Sequence, residues 1–290
     1  MRAHVVEGGG GVRLYAIDEG DQDARPILFL HGFSQCRLSF LKQFESDLIE
    51  DFRLVAMDLR GHGRSEKPVG AYGDSKLWAQ DVNTVIQTLG LERPLLVGHA
   101  YGGVVIGDYL RFYGEADVSG IQLVSAITKV GTEDAMTVIS PEFQALAPGL
   151  FSNSVDESLR SLSEFMRMCT HEELSETDFC FFLGFNTMVP PHVREGLFSR
   201  VVDNDDVLRA FSKPALVTHG YRDIIVFPAA ARHHAATIPN ATLSLYSNVG
   251  HVPHWEVPDL FGQELRKFAD SLTRPDGSED PSALGRPFER

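Results

Sequence analysis

Short apolar runs alternate along this chain with longer stretches whose apolar residues recur every three or four positions. The runs at 3–7, 12–18, 26–30, 53–58, 94–98, 120–125, 215–220 and 242–247 have the length and aliphatic content of strands. The stretches 40–50, 74–89, 101–113 and 258–272 carry helical spacing. Strands alternating with helices predict a mostly parallel sheet of about eight strands with helices on both faces. The glycine run at 8–11 lies between the first two strands and predicts a hairpin turn. A phosphate cradle would need a strand-to-helix context that this run lacks.

The pattern changes between 126 and 212, where no strand is evident and helical periodicity dominates. Leu159, Leu162, Phe165, Met166 and Cys169 form one apolar face. Phe179-Cys180-Phe181-Phe182-Leu183-Gly184-Phe185 is apolar almost all round. Nine of the 19 phenylalanines fall in this block, and for any single one of them packing the block onto the core is the expected role. A helix apolar all round needs a second buried surface, and a ligand pocket beneath the block would supply one. The chain then divides into a core segment at 1–125, an inserted helical cap at 126–212, a second core segment at 213–273 and a polar tail at 274–290. Expected pocket residues are His31 and Gly32 from the core, Phe165, Phe182 and Met188 from the cap, and Trp255. The same aromatic surface could instead contribute to a dimer contact, so monomer and homodimer both stay open.

Composition narrows the partners. The formal net charge of −14 over 290 residues, with no Lys/Arg cluster, argues against nucleic acid and anionic membranes. A small, largely apolar substrate is the expected partner. No run approaches the ~18 apolar residues that span a bilayer. The first residues lack a signal-peptide pattern, so a cytoplasmic location is expected. Cys36, Cys169 and Cys180 are too scattered for a disulfide framework and are expected to be free, buried thiols. His233 and His234 are adjacent and would point to different helix faces. His251 and His254 lack the further ligands a metal site needs, so no metal or other cofactor is expected.

Four segments carry candidate chemistry. Leu95-Leu96-Val97-Gly98-His99-Ala100-Tyr101-Gly102-Gly103 reads as an apolar strand, a sharp turn and a helix start. That is the setting of the G-x-S-x-G nucleophile elbow, with alanine at the serine position. His31-Gly32-Phe33 directly follows the strand at 26–30. Thr218-His219-Gly220-Tyr221-Arg222-Asp223 places a carboxylate in the turn after a buried strand, although an Asp there can be merely a turn former. Gly250-His251-Val252-Pro253-His254-Trp255-Glu256-Val257-Pro258 supplies a histidine, with His254 as the competing candidate. Asp58-Leu59-Arg60-Gly61-His62-Gly63-Arg64-Ser65 reads as a structural turn beside the elbow.

Together, His-Gly after the third strand, the Asp58–Ser65 turn, the Gly98–Gly103 elbow and the G-H-x-P-x-x-E-x-P ending resemble the α/β-hydrolase superfamily. The resemblance covers nearly the whole chain apart from the cap and tail. It implies an α/β-hydrolase fold and a triad in the order elbow, Asp223, His251. It also implies an oxyanion hole formed by the backbone N–H groups of Phe33 and Tyr101. The activity implied is hydrolysis of a small to medium apolar carboxylic ester or lactone through an acyl-enzyme.

Three readings of Ala100 compete: an engineered Ser→Ala substitution, a natural non-catalytic relative that binds ligands as a receptor does, and an aspartate parent. The last resembles haloalkane dehalogenases and epoxide hydrolases. Those relatives usually follow the nucleophile with Trp, where this chain has Tyr101, and epoxide hydrolases use cap tyrosines. None of the seven tyrosines lies in 126–212. Two further classes share the fold. Cofactor-free dioxygenases resemble G-x-S-H-G-G at the elbow, from which Tyr101 departs. C–C bond hydrolases take acidic substrates, for which Arg160, Arg167, Arg194 and Arg200 are available as cap anchors.

Overall fold

A computed structural model describes residues 1–272; the expected tail at 274–290 lies outside the described residues. The ten strands are β1 (Arg2–Glu7), β2 (Arg13–Glu19), β3 (Arg25–Leu30), β4 (Phe52–Asp58), β5 (Leu95–His99), β6 (Gly120–Val124), β7 (Lys129–Val130), β8 (Val202–Asp203), β9 (Ala215–Gly220) and β10 (Ala241–Tyr246). Eight of them form one sheet in the order β1-β2-β4-β3-β5-β6-β9-β10. β1 and β2 run antiparallel to each other, and β2 runs antiparallel to β4. The other pairings in that sheet are parallel. All eight expected strands are therefore present, each within two residues of its expected bounds.

The central strands are continuously apolar because both faces of the sheet are covered. Successive side chains alternate between two cores. Ile27 and Phe29 of β3 join Leu54 and Ala56 of β4 against Phe40, Phe44, Phe52, Phe261 and Leu265. Leu28 and Leu30 join Val55 and Met57 on the other face, against Trp78, Val82, Val104 and Val105. The first layer contains the helix Pro258–Asp270, and the second contains the helices Ser75–Thr88 and Gly102–Tyr113.

Between β6 and β9 the chain leaves the sheet through seven helices: Glu133–Val138, Pro141–Gln144, Ala147–Leu150, Val155–Met168, Glu176–Thr187, Pro191–Phe198 and Asp205–Ala210. Thr132, Ser140, Ser154 and Ser175 cap four of them by accepting a backbone N–H, which is how short polar residues start helices. Contrary to expectation, the block also holds two short strands. β7 and β8 pair antiparallel where the chain leaves and re-enters the core.

The helix expected at 40–50 is broken. A 3-10 turn at Arg37–Phe40 leads into Leu41–Phe44, and a separate turn follows at Leu48–Asp51. Ser46 causes the break: its Oγ donates to the Gln43 carbonyl and accepts the Leu48 N–H, competing with helical bonding. The helices Ala229–Thr237 and Pro253–Glu256 were not expected. Among the described residues, no helix is long and apolar enough to cross a membrane.

Candidate active site

The elbow is built as its sequence requires. β5 ends at His99, Ala100 takes φ +47°, and the helix starts at Gly102. A left-handed backbone is unfavourable for alanine, so the surroundings must hold it. Ala100 N–H donates to the Val124 carbonyl at 3.0 Å, and its own carbonyl accepts from Gly103 N–H at 3.0 Å and Ile127 N–H at 3.1 Å. The neighbouring chain passes too close for side chains. A Cβ on Gly102 would meet the Leu30 carbonyl oxygen at 2.2 Å, and one on Gly98 would meet the Gly102 carbonyl oxygen at 2.8 Å. A Cβ on Gly32 would lie 3.0 Å from the Ala100 methyl, which places the His31–Phe33 loop against position 100.

Asp223 and His251 come together from two turns. Asp223 Oδ2 accepts from His251 Nδ1 at 2.8 Å. Its Oδ1 accepts from the N–H groups of Ile225 and Val226 at 2.9 and 3.0 Å. Burial alone would raise the Asp223 pKa. The His251 charge and the hydrogen bonds from His219 and His251 outweigh burial and hold the carboxyl well below the usual carboxylate range. The ring of His99, the residue before position 100, packs 4.9 Å from that of His251. His99 Nε2 donates to the His251 carbonyl at 2.9 Å.

His254 has no such partner. It is buried, and neither ring nitrogen has a hydrogen-bond partner among the described residues. Its ring packs against His99 at 4.6 Å and Phe40 at 4.8 Å. Burial, then the neighbouring His251 and Lys42, push its pKa down to about 3. The carboxylate is thus shared with His251, and His254 sits behind it as packing.

Among the described residues, the N–H groups of Phe33 and Tyr101 find no backbone or side-chain acceptor. Tyr101 follows position 100 in the chain, and Phe33 follows Gly32, which lies against the Ala100 methyl. The Phe33 ring is ringed by the inserted block, with Phe198 at 5.0 Å and Phe143 and Phe165 at 6.1 Å. Phe165 thus packs directly on the Phe33 ring.

Met188, Phe182, Trp255 and His31 have other surroundings. Met188 is 55% exposed at the end of the helix Glu176–Thr187, turned to solvent because the buried face of that helix is already filled by Phe182 and Phe185. Phe182 is fully buried against Trp255 at 4.8 Å and Phe185 at 5.1 Å, so both it and Trp255 bond the block to the core. His31 is fully buried with both ring nitrogens engaged: Nδ1 donates to the Gly32 carbonyl at 2.9 Å and Nε2 accepts from Leu59 N–H at 3.0 Å. Both nitrogens are thus spent on tying two loops together. Cys180 is exposed, whereas Cys36 and Cys169 are buried, and all three are free.

Two of the four cap arginines, Arg194 and Arg200, are committed elsewhere. Arg194 donates to the carbonyls of Leu150, Asn186 and Val189. Arg200 pairs with Asp108 at 2.6 Å and donates to Tyr101 Oη at 2.9 Å. Arg160 bonds the Asp156 carbonyl, and Arg167 lies over the Phe179 ring. Arg194 and Arg200, buried and already bonded to protein, are poor anchors for an acidic substrate, whereas Arg160 and Arg167 are exposed. Among the described residues, no group of three or more His, Cys, Asp or Glu side chains could hold a metal ion.

Sequence reasoning missed the parts played by three residues, of which Arg200 had been named only as a cap anchor for an acidic substrate. His219 contacts Asp223 at 3.1 Å and stands in the very segment that supplied Asp223. Glu256 accepts from Gly250 N–H and His171 N–H, both at 2.8 Å, and is the Glu of the G-H-x-P-x-x-E-x-P ending. Arg200 had no local signal.

Comparison with known proteins agrees with this architecture. The family model described as "alpha/beta hydrolase fold" matches residues 25–258. The solved structure of the esterase RhEst1 from Rhodococcus sp. ECU1013 is 34% identical, covers 94% of this chain and 100% of its own, and superposes with a TM-score of 0.90. The bifunctional esterase/perhydrolase DCH of Acinetobacter calcoaceticus is 28% identical over 90% of this chain and 97% of its own length. Epoxide hydrolase 1 of Caenorhabditis elegans is 33% identical over 89% of this chain and 68% of its own. The chain belongs to the α/β-hydrolase fold family, among relatives that are esterases and other hydrolases.

Proposed function

We propose that this scaffold serves the hydrolysis of a small to medium, largely apolar carboxylic ester or lactone, and that Ala100 stands where a serine nucleophile belongs. The observation that carries the reading is the buried Asp223–His251 pair at 2.8 Å, set beside a left-handed position 100 at a strand-to-helix turn. With serine at 100, His251 takes the hydroxyl proton as the oxygen attacks the ester carbonyl carbon. Asp223 holds the imidazole in the Nδ1–H tautomer and stabilises its protonated form. The Phe33 and Tyr101 N–H groups hold the developing alkoxide. His251 passes its proton to the departing alcohol, then deprotonates the water that releases the acid. The scheme uses protein groups alone. The phenylalanines over Phe33 favour an apolar acyl chain.

With a methyl at 100 the chain binds substrate and turns it over slowly, keeping roughly the 10³–10⁴-fold advantage over water that triad-deleted enzymes retain. The test is Ala100→Ser, assayed on p-nitrophenyl esters of increasing acyl length and on lactones. A gain of several orders of magnitude supports the reading, and the acyl-length profile sizes the pocket. No gain, with tight ligand binding by the unaltered chain, favours a receptor-like protein. An Ala100→Asp arm assayed on epoxides and haloalkanes addresses the aspartate parent, against which the tyrosine-free cap weighs.

A further inference from the structure

His219 is the penultimate residue of β9, four residues before Asp223, and its side chain is fully buried. Its Nε2 lies 2.9 Å from the Val226 carbonyl oxygen and 3.1 Å from Asp223 Oδ2. A carbonyl oxygen can only accept, so Nε2 carries a proton, and that proton is offered to both oxygens. Nδ1 of the same ring is buried without a partner, so the two contacts of Nε2 are what orient the ring. The carboxylate is then fully engaged. Oδ1 takes the Ile225 and Val226 N–H groups, and Oδ2 takes His251 Nδ1 and His219 Nε2.

We propose that His219 is a positioning residue for the Asp223–His251 pair: it donates to the same carboxylate oxygen that His251 uses and thereby weakens the pull of Asp223 on the His251 proton. The physical reason is that an oxygen accepting two hydrogen bonds gives each donor a smaller share of its charge. His219 thus keeps His251 a weaker base than the carboxylate alone would make it, while fixing the carboxylate plane. Other titratable groups face the pair. Cys169 and Glu256 lie toward Asp223, His99 and His254 toward His251, and His234 toward His219. They stay constant when position 219 alone is changed.

This inference rests on the reading of Asp223 and His251 as an acid–base pair, but its test needs no turnover. The His251 ring is followed by ¹H and ¹⁵N NMR against pH in the unaltered chain, with His251→Gln assigning its signals. His219→Phe removes the donor, and the His251 titration should move up by about half a pH unit or more. His219→Gln restores an N–H donor and should move it less. No upward movement in His219→Phe, or equal movement in both variants, would overturn the proposal. Should His219→Phe fail to fold, the ¹⁵N shifts of His219 in the unaltered chain decide. A protonated Nε2 supports the assignment, and a proton on Nδ1 alone rejects it. Asp223→Asn serves as the control on the underlying reading. If it leaves the His251 titration untouched, the pair itself and the ester-hydrolysis reading fall together, whereas a normal response leaves only the His219 proposal at stake.

Discussion

At the scale of single residues, position 100 is a side-chain problem in a backbone already prepared. The turn holds Ala100 at φ +47° with three backbone hydrogen bonds, and an alanine draws no benefit from that conformation. The strain fits a residue that must be presented above the sheet. Several histidines near the site are buried as neutral rings, and this has a measurable consequence. Burial, as the largest cause in each case, pushes His31 down to about 4 and His62, His234 and His254 down to about 3, from an ordinary 6.5. Because the folded values lie below the unfolded one, the unfolded chain takes up protons first as pH falls. Stability is therefore full above pH 6.5 and declines below it, until the native rings protonate near 3–4. Each ring contributes up to about 1.4 kcal/mol per pH unit across that window. Urea denaturation at pH 7, 6, 5 and 4 should show a steady loss, and His254→Phe should flatten it. A denaturation midpoint independent of pH would contradict the account.

At the scale of elements, what was legible in the chain was what local chemistry decides. The strands declared themselves because both faces of the sheet are apolar, and the elbow because Gly98 and Gly102 sit where the neighbouring backbone leaves no room for a Cβ. Asp223 and His251 were singled out through the resemblance of two short segments to a family pattern, and the structure brings the two side chains together. The broken segment at 40–50 was not legible, since its hydrophobic spacing is helical and the competition comes from the Ser46 hydroxyl. The role of Glu256 was likewise hidden, because its two acceptors are used by separate segments. One oxygen takes Gly250 N–H beside His251, and the other takes His171 N–H in the inserted block. Replacing it by glutamine leaves a single acceptor oxygen, so one of these amides loses its partner at a cost of about 1–3 kcal/mol. Hydrogen exchange at Gly250 and His171 should accelerate in Glu256→Gln while exchange in β3 and β5 stays unchanged. Unaltered protection at both amides would show that Glu256 does not hold the histidine turn.

Across the whole molecule, the inserted block is bolted to the core. Arg200 comes from the end of the block, and its side chain is fully buried against Asp108 at 2.6 Å. It donates to Ser75 Oγ and Tyr101 Oη, both at 2.9 Å, and lies over the rings of Trp78 and Tyr101. No sequence pattern shows this, since Arg200 and Asp108 are separated by 92 residues and meet only once the sheet has formed. Removing one member strands a buried charge, so Arg200→Met should cost about 3–5 kcal/mol. Arg200→Met combined with Asp108→Leu, which removes both charges, should recover most of that loss in urea denaturation. Equal losses in the single and double variants would mean that shape, not charge pairing, holds the block in place. The same bolt fixes Tyr101, whose N–H is one of the two free donors beside position 100, so block and elbow form one unit around the candidate site.

Under the proposed function that unit is an ester-hydrolysing site lacking its nucleophile, and covalent labelling tests this most directly. The Ala100→Ser protein is treated with an organofluorophosphonate and read by intact mass and peptide mapping. The account predicts one adduct, on the introduced serine, that forms in Ala100→Ser and is lost when His251→Gln is added. No adduct on that serine, or labelling that is the same with and without His251, would contradict it.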